Sequence, residues 1–194
     1  MDLTERLVDR QVVHRGTYMT FTRDTVLDAD GAQHSRDVVL HPGAVTILAI
    51  LPDRRLLLVR QYRHAAGEAL LELPAGTLDR QPDGSLEERL PAAKRELTEE
   101  TGYHAAKWRE VATFFTAPGF ASELMTMFLA TELSPDPAYH GPEPDERLIL
   151  EPIPFDDMLA LAHSAQIRDA KTLLGVYLVD ALARAGEVPE LGPR

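Results

Sequence analysis

The longest apolar run in the sequence, Ala44–Leu51, is eight residues long with one threonine inside it. It falls far short of the ~20 residues a membrane-spanning helix needs and reads as a buried strand over Val45–Leu51. Residues 10–15 and 18–28 are rich in Thr, Val, Tyr and Phe and read as extended. Asp28-Ala29-Asp30-Gly31 is a turn, and 35–41 pairs back as a hairpin. The turn Pro52-Asp53-Arg54-Arg55 returns the chain as Leu56–Tyr62, and Ala69–Leu73 is a further short strand. Residues 79–90 are polar, with a loop signal at Pro82-Asp83-Gly84. Ala92–Thr101 is helical and capped by Gly102. Strands follow at Trp108–Phe115, Leu124–Thr131 and Leu148–Pro152, then amphipathic helices at Phe155–Ser164 and Lys171–Arg184. This order predicts an α+β layered fold with a mixed sheet. The last residues, after Gly186, are expected to fray.

Composition narrows the function. The chain has 194 residues, room for one domain with a small appendage, and no cysteine, which removes disulfides and thiolate chemistry and fits a reducing compartment. Twenty Lys+Arg against 31 Asp+Glu leave a net charge of −11. That balance disfavours nucleic-acid polymers and anionic membranes. The N-terminus lacks an apolar leader core. The seven histidines show no zinc-ligand spacing.

The segment 92–102 carries the chemistry. Glu96, Glu99 and Glu100 stand at i, i+3 and i+4, so a helix puts all three carboxylates on one face. Like charges at this spacing repel by a few tenths of a kcal/mol per pair. A hard divalent cation resolves the conflict, because Mg²⁺ takes oxygen ligands and keeps room for phosphates. A solvated acidic face is the bland alternative, and for an isolated Glu-x-x-Glu-Glu it is the commoner one. Two neighbours weigh against it here: Arg95, placed to hold a carboxylate, and Glu87 on the approach to the helix. Ala92, Ala93 and Leu97 form the opposite face, which anchors on a sheet.

Glu87, seven intervening residues and then Arg-Glu-Leu-Thr-Glu-Glu-Thr-Gly-Tyr (95–103) resemble the core of the Nudix box. That signature belongs to hydrolases of nucleoside diphosphates linked to another moiety. The resemblance implies an α/β/α sandwich around a mixed sheet and the use of Mg²⁺ or Mn²⁺. One departure stands out. The family leaves five residues between a glycine and the first box glutamate, whereas ten separate Gly76 from Glu87 here. This reads as a five-residue insertion near 80–85, and it leaves the position of Glu87 open. Pro91 is expected just inside the helix start.

Features outside the box resemble the ADP-ribose pyrophosphatase subfamily. These are His41–Thr46, Val59–Arg63, Glu72-Leu-Pro-Ala-Gly76 and Pro118, fifteen residues past the box. An N-terminal strand hairpin is a further feature, and in the subfamily it forms a swapped homodimer. The resemblance covers roughly residues 15–185. It implies metal held by Glu96 and Glu100, assisted by Glu99, Glu87 and the Ala75 carbonyl, with Arg95 orienting the carboxylates. It implies a general base in the loop 141–146, Glu146 first and Glu143 second. A solvated acidic loop is an even alternative for each.

Arg63 suits a bidentate approach to a diphosphate, with a surface ion pair as the equal alternative. Arg36 resembles a second substrate arginine. Tyr18 or Phe21 is placed to stack on adenine, or simply to pack in a core, and Phe120 to line a ribose pocket. Met125 and Met127 read as core. The implied organisation is an N-terminal hairpin over 1–42, a hydrolase domain over 43–186 and a tail over 187–194. The implied activity is cytoplasmic, metal-dependent cleavage of ADP-ribose to AMP and ribose 5-phosphate. Another nucleoside diphosphate sugar or dinucleotide is the competing substrate, and a non-catalytic nucleotide sensor the competing class.

Overall fold

The computed structural model describes residues 2–141 and 147–192. The chain forms two compact units, Met1–Gly43 with Phe114–Met125, and Ala44–Thr113 with Thr126–Arg194.

In the first unit β1 (Arg6–Arg15), β2 (Thr20–Leu27) and β3 (Gln33–Leu40) form an antiparallel sheet in the order β1-β2-β3. The strands begin elsewhere than expected. β1 starts at residue 6 rather than 10. The second strand starts at Thr20 rather than 18, because Gly16 N–H bonds the Met19 carbonyl at 2.8 Å and closes a turn over 16–19. The Asp28 turn is present, with Asp28 Oδ1 accepting from the N–H groups of Asp30 and Ala32 at 3.0 and 2.9 Å. Alternation along β2 buries Thr22, Asp24 and Val26. The buried Asp24 charge is balanced by a bidentate bond from Arg10 at 2.8 and 2.6 Å. Residues 114–125 join β3 through Val39 N–H to Phe120 O, 2.8 Å, and Ser122 N–H to Val39 O, 3.0 Å.

The second unit has an α/β/α layering. Its strands are β4 (Ala44–Ala49), β5 (Arg55–Arg63), β6 (Glu68–Glu72), β7 (Ala75–Thr77), β8 (Tyr103–Phe115), β9 (Leu124–Pro135) and β10 (Leu148–Pro154), the ends of β8 and β9 reaching into the first unit. They form sheets in the orders β10-β5-β6 and β7-β4-β9-β8. Every residue of β4 is buried, since both of its faces are covered. Val45, Ile47 and Ala49 pack with Ala92, Ala93 and Leu97 of α1 (Arg89–Thr101). On the other face Leu48 meets α3 (Ala170–Arg184) at Gly175, where a Cβ would lie 2.6 Å from Leu73 and 3.1 Å from Leu48. The helix α2 (Phe155–His163) buries Phe155, Met158, Leu159 and Ala162. Met125 and Met127 are core residues, as expected.

Four expectations need correction. The helix α1 starts at Arg89, three residues before the expected Ala92. Pro91 is tolerated in its first turn because the first intrahelical donor is Ala92 N–H, which bonds Glu88 O at 3.0 Å. The segment Ala75–Thr77, absent from the expected strands, is a short strand paired with Ala44–Thr46. β8 begins at Tyr103 rather than Trp108, as the edge of its sheet, where charged residues hide the apolar alternation. The tail does not fray directly after Gly186: Pro189–Leu191 forms a 3₁₀ turn, with Val188 and Leu191 buried.

Candidate active site

The site is built on α1 and β7, both within the second unit. Gly102 ends α1 in the left-handed conformation, φ 71°, with its N–H on Thr98 O. The buried face of the helix includes Glu96 and Glu100 beside the apolar anchors Ala92, Ala93 and Leu97. Antiparallel pairing of Ala75 with Thr46 directs the Ala75 N–H and C=O away from β4. That N–H donates to Glu100 Oε2 at 3.0 Å. The next residue, Gly76, leaves a cradle for Glu96, whose carboxylate lies 1.9 Å from where a Cβ would stand.

Arg95 gathers the remaining carboxylates. Its Nη1 donates to Glu96 at 2.8 Å and Glu99 at 2.9 Å, and its Nη2 donates to Glu87 at 2.9 Å. A weaker bond reaches the Thr77 carbonyl at 3.4 Å. Desolvation opposes the Arg95 charge, but the bond to Glu87, the Glu96 charge and the bond to Glu99 outweigh it, so the guanidinium is held well above its ordinary range. Reciprocally, Arg95 holds the Glu87 carboxyl below its ordinary value of 4.5.

Glu87 is held beside the helix by Arg95, and the loop over 79–87 that leads to it closes on itself. Gln81 N–H bonds Ser85 O at 2.9 Å, Gly84 N–H bonds Gln81 O at 2.9 Å, and Glu87 N–H bonds Asp79 O at 2.8 Å.

Among the described residues no three acidic or histidine side chains converge at metal distance, since Arg95 stands between Glu96 and Glu99. The donor set still fits a hard cation: three carboxylates on one helix face, a carbonyl at Ala75, and a glycine where a side chain would block Glu96.

Arg63 is engaged rather than free. Its Nε and Nη2 both bond Glu72 at 2.7 Å. Glu72 is buried and also bonds Lys171. Burial pushes the Glu72 carboxyl up, but Arg63 and Lys171 together hold it below its ordinary value. Neither Lys171 nor its partner Asp169, 3.0 Å away, was expected from sequence. They lie about a hundred residues from Glu72 and carry no motif.

The other expected residues fall in the first unit. Arg36 pairs with Glu5. Tyr18 is exposed and meets His41 edge-on, with ring centroids 5.6 Å apart. Phe21 is half-buried, while Pro118 and Phe120 are exposed. Glu143 and Glu146 lie outside the described residues.

A family model described as NUDIX domain matches residues 40–174. The chain belongs to the NUDIX family. An ADP-ribose pyrophosphatase of Bacillus subtilis (strain 168) is 33% identical over 174 residues, 90% of this chain and 91% of the relative. A methanol dehydrogenase activator of Bacillus methanolicus is 31% identical over 172 residues, 89% and 90% of the two chains. A solved structure described as ADP compounds hydrolase superposes with a TM-score of 0.79 at 24% identity, covering 97% of this chain and 99% of that one. This likeness establishes the NUDIX fold. The carboxylate face of α1 falls inside the matched segment.

Proposed function

We propose that this NUDIX protein hydrolyses the diphosphate of ADP-ribose to AMP and ribose 5-phosphate. The observation that carries the chemistry is the seating of Glu96 and Glu100 on the Ala75–Gly76 strand. Similarity to an ADP-ribose pyrophosphatase over nine-tenths of the chain supports the substrate.

Glu96, Glu100 and the Ala75 carbonyl are the residues to hold Mg²⁺, or Mn²⁺, with Glu99 and Glu87 assisting. A divalent cation held there would supply charge neutralisation at the phosphates and a lower pKa for the attacking water. Arg95 orients the carboxylates, and Arg63 approaches the diphosphate. Water oxygen bonds one phosphorus as the bridging P–O bond breaks, and its proton passes to a carboxylate base. Glu146 is the first choice for that base and Glu143 the second.

A homodimer and a cytoplasmic setting belong to the same reading. β1 is an edge strand exposed along its whole length, including Leu7, Val8, Val12 and Val13, and a second copy would cover it. The absence of cysteine fits a reducing compartment. No helix among the described residues is long and apolar enough to cross a membrane.

The deciding experiment incubates the protein with Mg²⁺ and a panel of ADP-ribose, nucleotide sugars, NADH, CoA and diadenosine polyphosphates, and measures phosphatase-coupled release. Preferential cleavage of ADP-ribose is expected. Preference for another member reassigns the substrate, and no turnover of any member favours a ligand sensor.

A further inference from the structure

Glu72 is 1% exposed, and its two oxygens face two cations, Arg63 in a bidentate fork and Lys171. One cation suffices to balance a buried carboxylate. The second is itself largely withdrawn from solvent, with its side chain 10% exposed.

Lys171 belongs to a chain of contacts at the start of α3. Its Nζ is 3.0 Å from Asp169 Oδ2. Asp169 caps α3 by accepting from Thr172 N–H at 3.0 Å, and it also takes the Thr172 hydroxyl at 2.6 Å. Thr172 Oγ1 in turn accepts Leu73 N–H at 2.8 Å. The helix start thus grips residues 72 and 73 side by side, one through its side chain and one through its backbone. Two residues further on, Ala75 and Gly76 seat Glu100 and Glu96.

Arg63, Glu72, Lys171 and Asp169 alternate in sign and balance one another, so the contribution of Lys171 is positional: it fixes where the Glu72 carboxylate stands, and Glu72 in turn fixes the Arg63 fork. The Arg63 side chain is 42% exposed, and no acceptor among the described residues takes its Nη1. We infer that Lys171 is a positioning residue for the diphosphate: by sharing Glu72 it fixes the guanidinium of Arg63 with its outer N–H groups turned free for a phosphate. This rests on the diphosphate-hydrolase reading above.

The test is steady-state kinetics on the panel substrate that the wild type cleaves, for Lys171→Met and Lys171→Arg, each alone and in an Arg63→Met background, with a melting temperature for every variant. Lys171→Met is expected to raise KM about tenfold with kcat changed less than about twofold, the pattern of lost uniform binding. Lys171→Arg should restore most of the KM. In the Arg63→Met background Lys171→Met should add little. An unchanged KM in a folded Lys171→Met protein overturns the inference. So does a KM effect that persists in full without Arg63, because Lys171 would then act on its own. If the methionine variant does not fold, Lys171→Gln, which keeps a donor but no charge, takes its place with the same reading. Absence of wild-type turnover strikes the hydrolase reading itself, whereas normal wild-type turnover with unaltered variants strikes only the role of Lys171.

Discussion

The Glu96 carboxylate fills the space that a side chain at position 76 would occupy, 1.9 Å from an ideal Cβ on Gly76. Glu96 is also held by Arg95, so it has little freedom to retreat. Gly76→Ala is therefore expected to cost about 1–3 kcal/mol of stability from overpacking. It should also lower turnover of ADP-ribose by about 100-fold, the usual penalty for a misplacement near 1 Å. Turnover and Mn²⁺ affinity, measured together, check this. Wild-type values for both would separate the contact from catalysis.

Glu100→Gln keeps an oxygen to accept the Ala75 N–H but loses the charge. The fold should survive, with an unchanged far-ultraviolet circular dichroism spectrum, while the rate falls by orders of magnitude. A near-normal rate would move the metal site elsewhere. For the base, Glu146→Gln should lose most turnover, and undiminished activity would pass the role to Glu143.

Glu72 and Glu87 both titrate below their ordinary 4.5 in the folded protein. Burial raises Glu72, but Arg63 and Lys171 prevail, and Arg95 lowers Glu87. A depressed carboxyl contributes stability that is complete above its unfolded value and is lost as pH falls through the folded one. Denaturant midpoints should therefore stay level from pH 7 to about 5 and drop below about 4.5. In Arg95→Met the acid limb should be shallower, because Glu87 no longer contributes. An identical slope in both proteins would break the link to Glu87.

Gly102 is constrained twice. Its φ is 71°, and a Cβ there would lie 2.3 Å from the Tyr139 ring. Gly102→Ala should destabilise by about 2–4 kcal/mol, combining left-handed strain with overpacking. Chemical denaturation measures it, and a loss under about 1 kcal/mol would mean that Tyr139 moves aside freely.

The helical face of Glu96, Glu99 and Glu100 was legible because i, i+3, i+4 spacing is a local property that any helix obeys. The strand at 45–51 was legible for a similar reason: a run of apolar residues needs burial wherever it lies. The start of α1 lies earlier than expected because Pro91 was placed at the very edge of the helix, although a proline fits anywhere in the first turn. β7 was missed because Ala-Gly-Thr carries no strand preference, and its pairing with β4 makes it a strand. The Glu72–Lys171 contact has no local signature at all. It exists only once α3 has folded onto the end of β6.

A hairpin pinned at its base separates the geometry of its root from the length of its tip. The bond between Asp79 and Glu87 pins the base here, and the bonds between Gln81, Gly84 and Ser85 belong to the tip. Residues 81–85 are thus a segment in which length and sequence can drift, or be exchanged for a designed turn, while the acidic anchor beside the helix stays fixed.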